Sequence, residues 1–150
     1  MKNYKIILKS VAEFLLIGVI LLYVTSAFHE YAHLKVLHIL GGDGYIISPM
    51  ETIITVSSSN DTLVAFSGGL VTAGVLIIAF VLALLHEYFE FAMASFTHAL
   101  IQVGYGVFEG FNWQLPAEEF VLPGRIVALS ALALGLIISI YVLYVLVWQE

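Results

Sequence analysis

The sequence predicts an all-α membrane protein: four transmembrane helices with a short β-hairpin-like loop between the first two, folded as a single membrane-embedded domain over residues 1–150. Three observations carry this expectation. Hydrophobic residues make up 61% of the 150 positions and charged residues 11%, against about 45–50% and about 25% in soluble domains. The apolar residues gather into four runs, each near the roughly 20 residues that cross a hydrocarbon core. Two short β-type runs, YIIS and TIITVS, lie together after the first apolar run and flank a turn at Pro49-Met50-Glu51.

The first span is expected over about 8–40. VAEFLLIGVILLYVTSAF runs on through HEYAHLKVLHIL and stops at Gly41-Gly42, a glycine C-cap. Its start resembles a signal peptide, with Lys2, Lys5 and Lys9 ahead of the run and Thr25-Ser26-Ala27 behind it. Glu13 interrupts that run and the rest of the chain is itself membrane-spanning, so the segment is read as a span. The stretch 43–62 carries the hairpin or a pair of edge strands. Asn60 to Thr62 is the N-cap region of the second span, 62–85. HEYFE (86–90) breaks the chain before the third span, 91–109, which ends at Glu109-Gly110. FNWQLPAEEFVLPG (111–124) is expected to be a polar loop leading to the fourth span, 125–148.

Four crossings put both termini on one side, and the three N-terminal lysines favour the cytoplasm for it. Lys35 and Arg125 fall at the opposite face. Spans one and three run the same way, so their C-terminal ends share a membrane face with the hairpin and the 110–124 loop. HEYAH and Glu109 both lie at that face.

The net charge of -6, with no basic cluster beyond the three lysines, argues against a nucleic-acid partner. With Cys 0 there is no disulfide, thiolate ligand or catalytic thiol. A metal site must therefore use His, Glu, Asp or Asn. H-E-x-x-H on a helix suits one. His29 and His33, four apart, stack their imidazoles on one face about 6 Å apart, as two ligands of a tetrahedral zinc. Glu30 is turned about 100° around the helix. There it can act as general base toward a zinc-activated water and pass the proton to a leaving amine. Ionisable residues inside membrane helices are rare and usually functional.

A catalytic zinc needs a third protein ligand and an open position. Glu109 has the right face and depth, and His98 is the rival. His98, Gln102, Tyr105 and Glu109 form one polar stripe expected to face the interior, with His98 about 16 Å below Glu109. His86-Glu87-Tyr88 repeats the first three residues of HEYAH but has Glu90 where the first copy has His33, and lies at the opposite face, about 30 Å away. It reads as an interfacial loop, as does His38, while Lys35 reaches for the interface.

HEYAHLKVLHILGG, a β-type segment, and then a helix beginning FSGGLVTAGV together resemble the site-2 protease family of intramembrane zinc metalloproteases. The resemblance spans about residues 20–115. It is complete at His29, Glu30 and His33 and looser at two further motifs. Gly68-Gly69-Leu70-Val71-Thr72 is similar to a Gly-Pro-x-x-Asn motif, with Gly69 for its proline and Thr72 for its asparagine. Glu109-Gly110 looks like the family's Asp-Gly, one methylene longer. The resemblance implies hydrolysis of peptide bonds in or near transmembrane segments of other membrane proteins, with an active site opening toward the cytosol. The lysine count gives the opposite orientation. In this reading the substrate pairs with the 45–56 strands, and Thr72 or Asn112 steadies the oxyanion. The 110–124 segment is a candidate gate.

Two other readings stay open. One is a membrane zinc hydrolase acting on a non-protein substrate. The other is a non-enzymatic divalent-metal binder or transporter using His29, His33, His98 and Glu109. A transporter should carry polar groups on through the bilayer, whereas the stripe on span three reaches only to His98. Span four carries no charge between Arg125 and Glu150 and reads as scaffold or lateral gate.

Overall fold

The computed structural model describes residues 2–148, with side chains from 5 to 146. Its order is α1 (Lys2–Ile39), β1 (Asp43–Ser48), β2 (Glu51–Val56), α2 (Asp61–Leu85), α3 (Phe89–Asn112) and α4 (Ala117–Trp148). All 4 helices are long and apolar enough to cross a membrane. The chain is a multi-pass, four-helix membrane protein with a short two-stranded hairpin between α1 and α2. The 38 residues of α1 would extend about 57 Å, well beyond a core of roughly 30 Å. Lys5 and Lys9 can thus stand outside the hydrocarbon at one end of the helix, and Lys35 and His38 at the other.

Local chemistry sets the ends of these elements. Gly41 adopts φ +80, and α1 closes with Gly42 N donating to Leu37 O and Gly41 N to His38 O. This is the paired C-terminal turn that a left-handed glycine permits. Asn60 caps α2, its side-chain oxygen accepting from Leu63 N at 3.0 Å, as the sequence predicts. The strands pair antiparallel, Tyr45 opposite Ile53 and Ile46 opposite Thr52, around a turn at Pro49-Met50.

Sequential helices alternate in direction. At one end Ser10 of α1 donates to Glu90 of α3, and Phe14, Ala83, Ala92, Met93 and Leu143 share a core. At the other end the C-terminal parts of α1 and α3 meet the start of α2. Helix α3 is the central one: 50% of its most apolar stretch is buried, against 11% for α1 and 17% for α4. It crosses α2 at Gly69 and Gly106, where a Cβ on either glycine would collide with the other helix's backbone. Small residues permit such close approach, which is how membrane helices gain packing without a hydrophobic driving force between them.

One expectation needs correcting. The stretch 111–124 is mostly helix. Helix α3 continues to Asn112 and α4 starts at Ala117, leaving only 113–116 between them. Pro116 begins the new helix, its carbonyl accepting from Glu119 N and Phe120 N, and Glu118 and Glu119 sit favourably in the first turn. Phe120 then packs against Tyr105 and Phe108 of α3. Pro123 lies inside the helix, where it has no N–H to offer Glu119 O.

Candidate metal centre

The site is assembled from three helices and the hairpin. Helix α1 supplies His29 and His33, 6% and 7% exposed, with their rings edge-to-face at 4.6 Å between centroids. Helix α3 supplies Glu109 from the predicted stripe. Glu109 Oε2 lies 3.1 Å from His29 Nε2 and 3.3 Å from His33 Nε2, and the two Nε2 atoms are 2.9 Å apart. Potential ligand atoms of all three residues fall within 4.8 Å of one another.

Both outer nitrogens are already committed. His33 Nδ1 donates to the carbonyl oxygen of Val64, on α2, at 2.7 Å. His29 Nδ1 donates to Gln102 Oε1, on α3, at 2.8 Å. A neutral imidazole with a protonated Nδ1 carries a lone pair on Nε2. In that tautomer two lone pairs and a carboxylate oxygen converge, a donor set that suits a metal cation or a shared proton. Tetrahedral zinc, with ligand bonds near 2.0–2.1 Å, sets its ligand atoms about 3.3 Å apart, close to these spacings. The residues fit a His₂Glu zinc site, with the second sphere of hydrogen bonds typical of ligating histidines.

Helix α2 approaches because position 68 is glycine. A Cβ there would run into His33 Nε2 and stand 2.6 Å from His29 Nε2. Glu30 follows His29 on the same helix and borders the histidine pair without joining it. Its carboxylate Oε2 accepts from Thr52 Oγ1 of β2 at 2.7 Å. Glu30 lines two cavities. One, of about 190 Å³, is bounded by His33, Thr52, Asp61, Glu109 and Trp113. The other, of about 220 Å³, is bounded by Ser26, His29, Met50, Gln102 and Tyr105.

The structure separates the two proposed third ligands. His98 is buried deeper on α3, and its Nε2 bonds Gly18 O of α1 at 2.8 Å, so it does not join the cluster. The two proposed oxyanion donors are also elsewhere. Thr72 is 1% exposed and its hydroxyl donates to Gly68 O at 2.7 Å. Asn112 Nδ2 donates to Phe108 O at 2.7 Å. Both groups are spent on their own helices, and neither lines the cavities beside Glu30. His86 caps α2 at the far end, followed by Glu87 at φ 62 in the turn to α3.

Two residues of the site carry no role that the sequence alone assigns. Gln102 belongs to the predicted stripe, and its i−7 relation to Glu109 places both on one helix face, yet sequence alone assigns it no partner. Thr52 had no signal beyond its membership of a β-type run. No family model, curated protein or solved structure matches this chain.

Proposed function

We propose that the chain is an intramembrane zinc metalloprotease, related in its chemistry to the site-2 proteases, that cleaves peptide bonds in or near transmembrane segments of other proteins. One observation carries the reading: His29, His33 and Glu109 converge within a helix bundle, with Glu30 beside them at the wall between two cavities. Zinc, when bound, supplies Lewis acidity toward a carbonyl and makes water a nucleophile at neutral pH.

The chain's own residues do the rest. His29, His33 and Glu109 would hold the metal, and Gln102 and Val64 O fix both rings with Nε2 inward. Glu30 takes a proton from the attacking water and returns it to the departing amine. The hairpin offers strand edges to an extended substrate, satisfying amides that lipid would leave bare. We place both termini in the cytoplasm on the charge of the N-terminal segment, with the site toward the other face.

The test is cleavage of a single-span membrane reporter by purified, zinc-loaded protein in liposomes. Wild type should cut it. Glu30→Gln should keep its zinc and lose at least about 10²-fold in kcat, the usual scale for a general base. Cleavage at the wild-type rate by Glu30→Gln rejects the mechanism.

A further inference from the structure

We propose that Thr52 is the positioning residue for Glu30, and that through it the hairpin sets the base only when the strands are in place over the site. This inference rests on the metalloprotease reading and adds a residue and a role to it. Thr52 Oγ1 donates to Glu30 Oε2 at 2.7 Å and lies 3.4 Å from the main-chain oxygen of the same residue. Among the described residues, this is the hydrogen bond that ties a β2 side chain to the membrane helices.

The surroundings give the contact its meaning. The hairpin lines both cavities that Glu30 borders, Met50 at one and Thr52 with Ile54 at the other. A peptide that occupied both cavities would run past Glu30, the residue that lines both. It would meet the strand and the base together, because Thr52 belongs to both. Among the described residues Thr52 is the one whose side chain is seen to hydrogen-bond the Glu30 carboxylate. A hydroxyl that holds one carboxylate oxygen leaves the other free of that bond to serve as the base. Misplacing a reacting group by about 1 Å can cost on the order of 10²-fold in rate, so a single hydrogen bond at this point is enough to matter. A strand displaced from the bundle would take Thr52 with it and leave the base unset, which ties catalysis to the position of the hairpin.

The experiment compares Thr52→Val, which keeps the shape and removes the hydroxyl, with Thr52→Ser, which keeps the hydroxyl. Thr52→Val should lower kcat by about 10–100-fold with KM and zinc per chain unchanged, and Thr52→Ser should restore most of it. Backbone hydrogen exchange over 51–56 gives a reading independent of catalysis. It should rise in Thr52→Val and in Glu30→Ala, rise no further in the double variant, and stay low in Glu30→Gln, whose amide oxygen still accepts. Wild-type kcat in Thr52→Val, failure of Thr52→Ser to restore it, or exchange indifferent to both residues overturns the proposal. A wild type that cleaves nothing overturns the metalloprotease reading instead, and the exchange series then still decides whether Thr52 ties the hairpin to Glu30.

Discussion

Gly68→Ala should empty the metal site while adding only one methyl group. The new Cβ would stand 2.5 Å from His33 Cε1 and 2.6 Å from His29 Nε2, where favourable contact begins near 3.5 Å. About 1 Å of retreat is needed. If the imidazoles retreat, they leave the shared point with Glu109. If α2 retreats, it pulls Val64 O, one turn earlier on the same helix, off His33 Nδ1, now 2.7 Å away. Overpacking of this kind costs about 1–3 kcal/mol, and loss of an outer-sphere partner alone weakens a metal by about 10–100-fold. The combined expectation is a fall in zinc affinity of at least about 10²-fold. Gly74→Ala is the control on the same helix, since a Cβ there meets nothing within 4 Å. It should bind zinc like wild type and be neutral or more stable by up to about 1 kcal/mol, the helix preference of alanine over glycine. Competition against a chelator of known affinity reads both variants. Wild-type zinc affinity in Gly68→Ala would refute the packing argument.

Three further outcomes follow from the same geometry. Gln102→Leu removes the acceptor for His29 Nδ1, so zinc affinity by chelator competition should fall about 10–100-fold. Gly106→Val should loosen the α2–α3 crossing, where even a Cβ meets Gly69; thermal unfolding in detergent should show a loss of about 1–3 kcal/mol, whether or not zinc is present. Zinc at 100 times its dissociation constant should stabilise the wild type by about 2.7 kcal/mol, seen as a chelator-sensitive shift in Tm that is absent in Glu109→Ala.

Much of this layout is legible in the sequence because lipid imposes simple rules. A span needs an unbroken apolar run, and four such runs fix the alternation of directions that brings Glu109 to the same end as HEYAH. Gly41 and Asn60 mark helix ends through backbone chemistry that needs no tertiary context. The stretch 111–124 misled because Pro116, Pro123 and several polar residues read as breakers. Yet Pro-Ala-Glu-Glu is also a helix start, and contact of Phe120 with Tyr105 and Phe108 decides between the two. Choosing Glu109 over His98 follows from depth. Thr72 and Asn112 show why a polar residue on a helix need not serve a site: its hydroxyl or amide can satisfy itself on the carbonyl four residues earlier. Thr52 was illegible because its meaning comes from a contact with Glu30 across 22 residues, which no local pattern encodes.

The central claim is that His29, His33 and Glu109 form one metal site, and zinc per chain in the purified protein tests it most directly. The account predicts one zinc per chain in wild type, in Glu30→Gln and in His98→Ala, and its loss in His29→Ala, His33→Ala and Glu109→Ala. A wild type that holds no metal, or a Glu109→Ala variant that keeps zinc while His98→Ala loses it, would contradict the account.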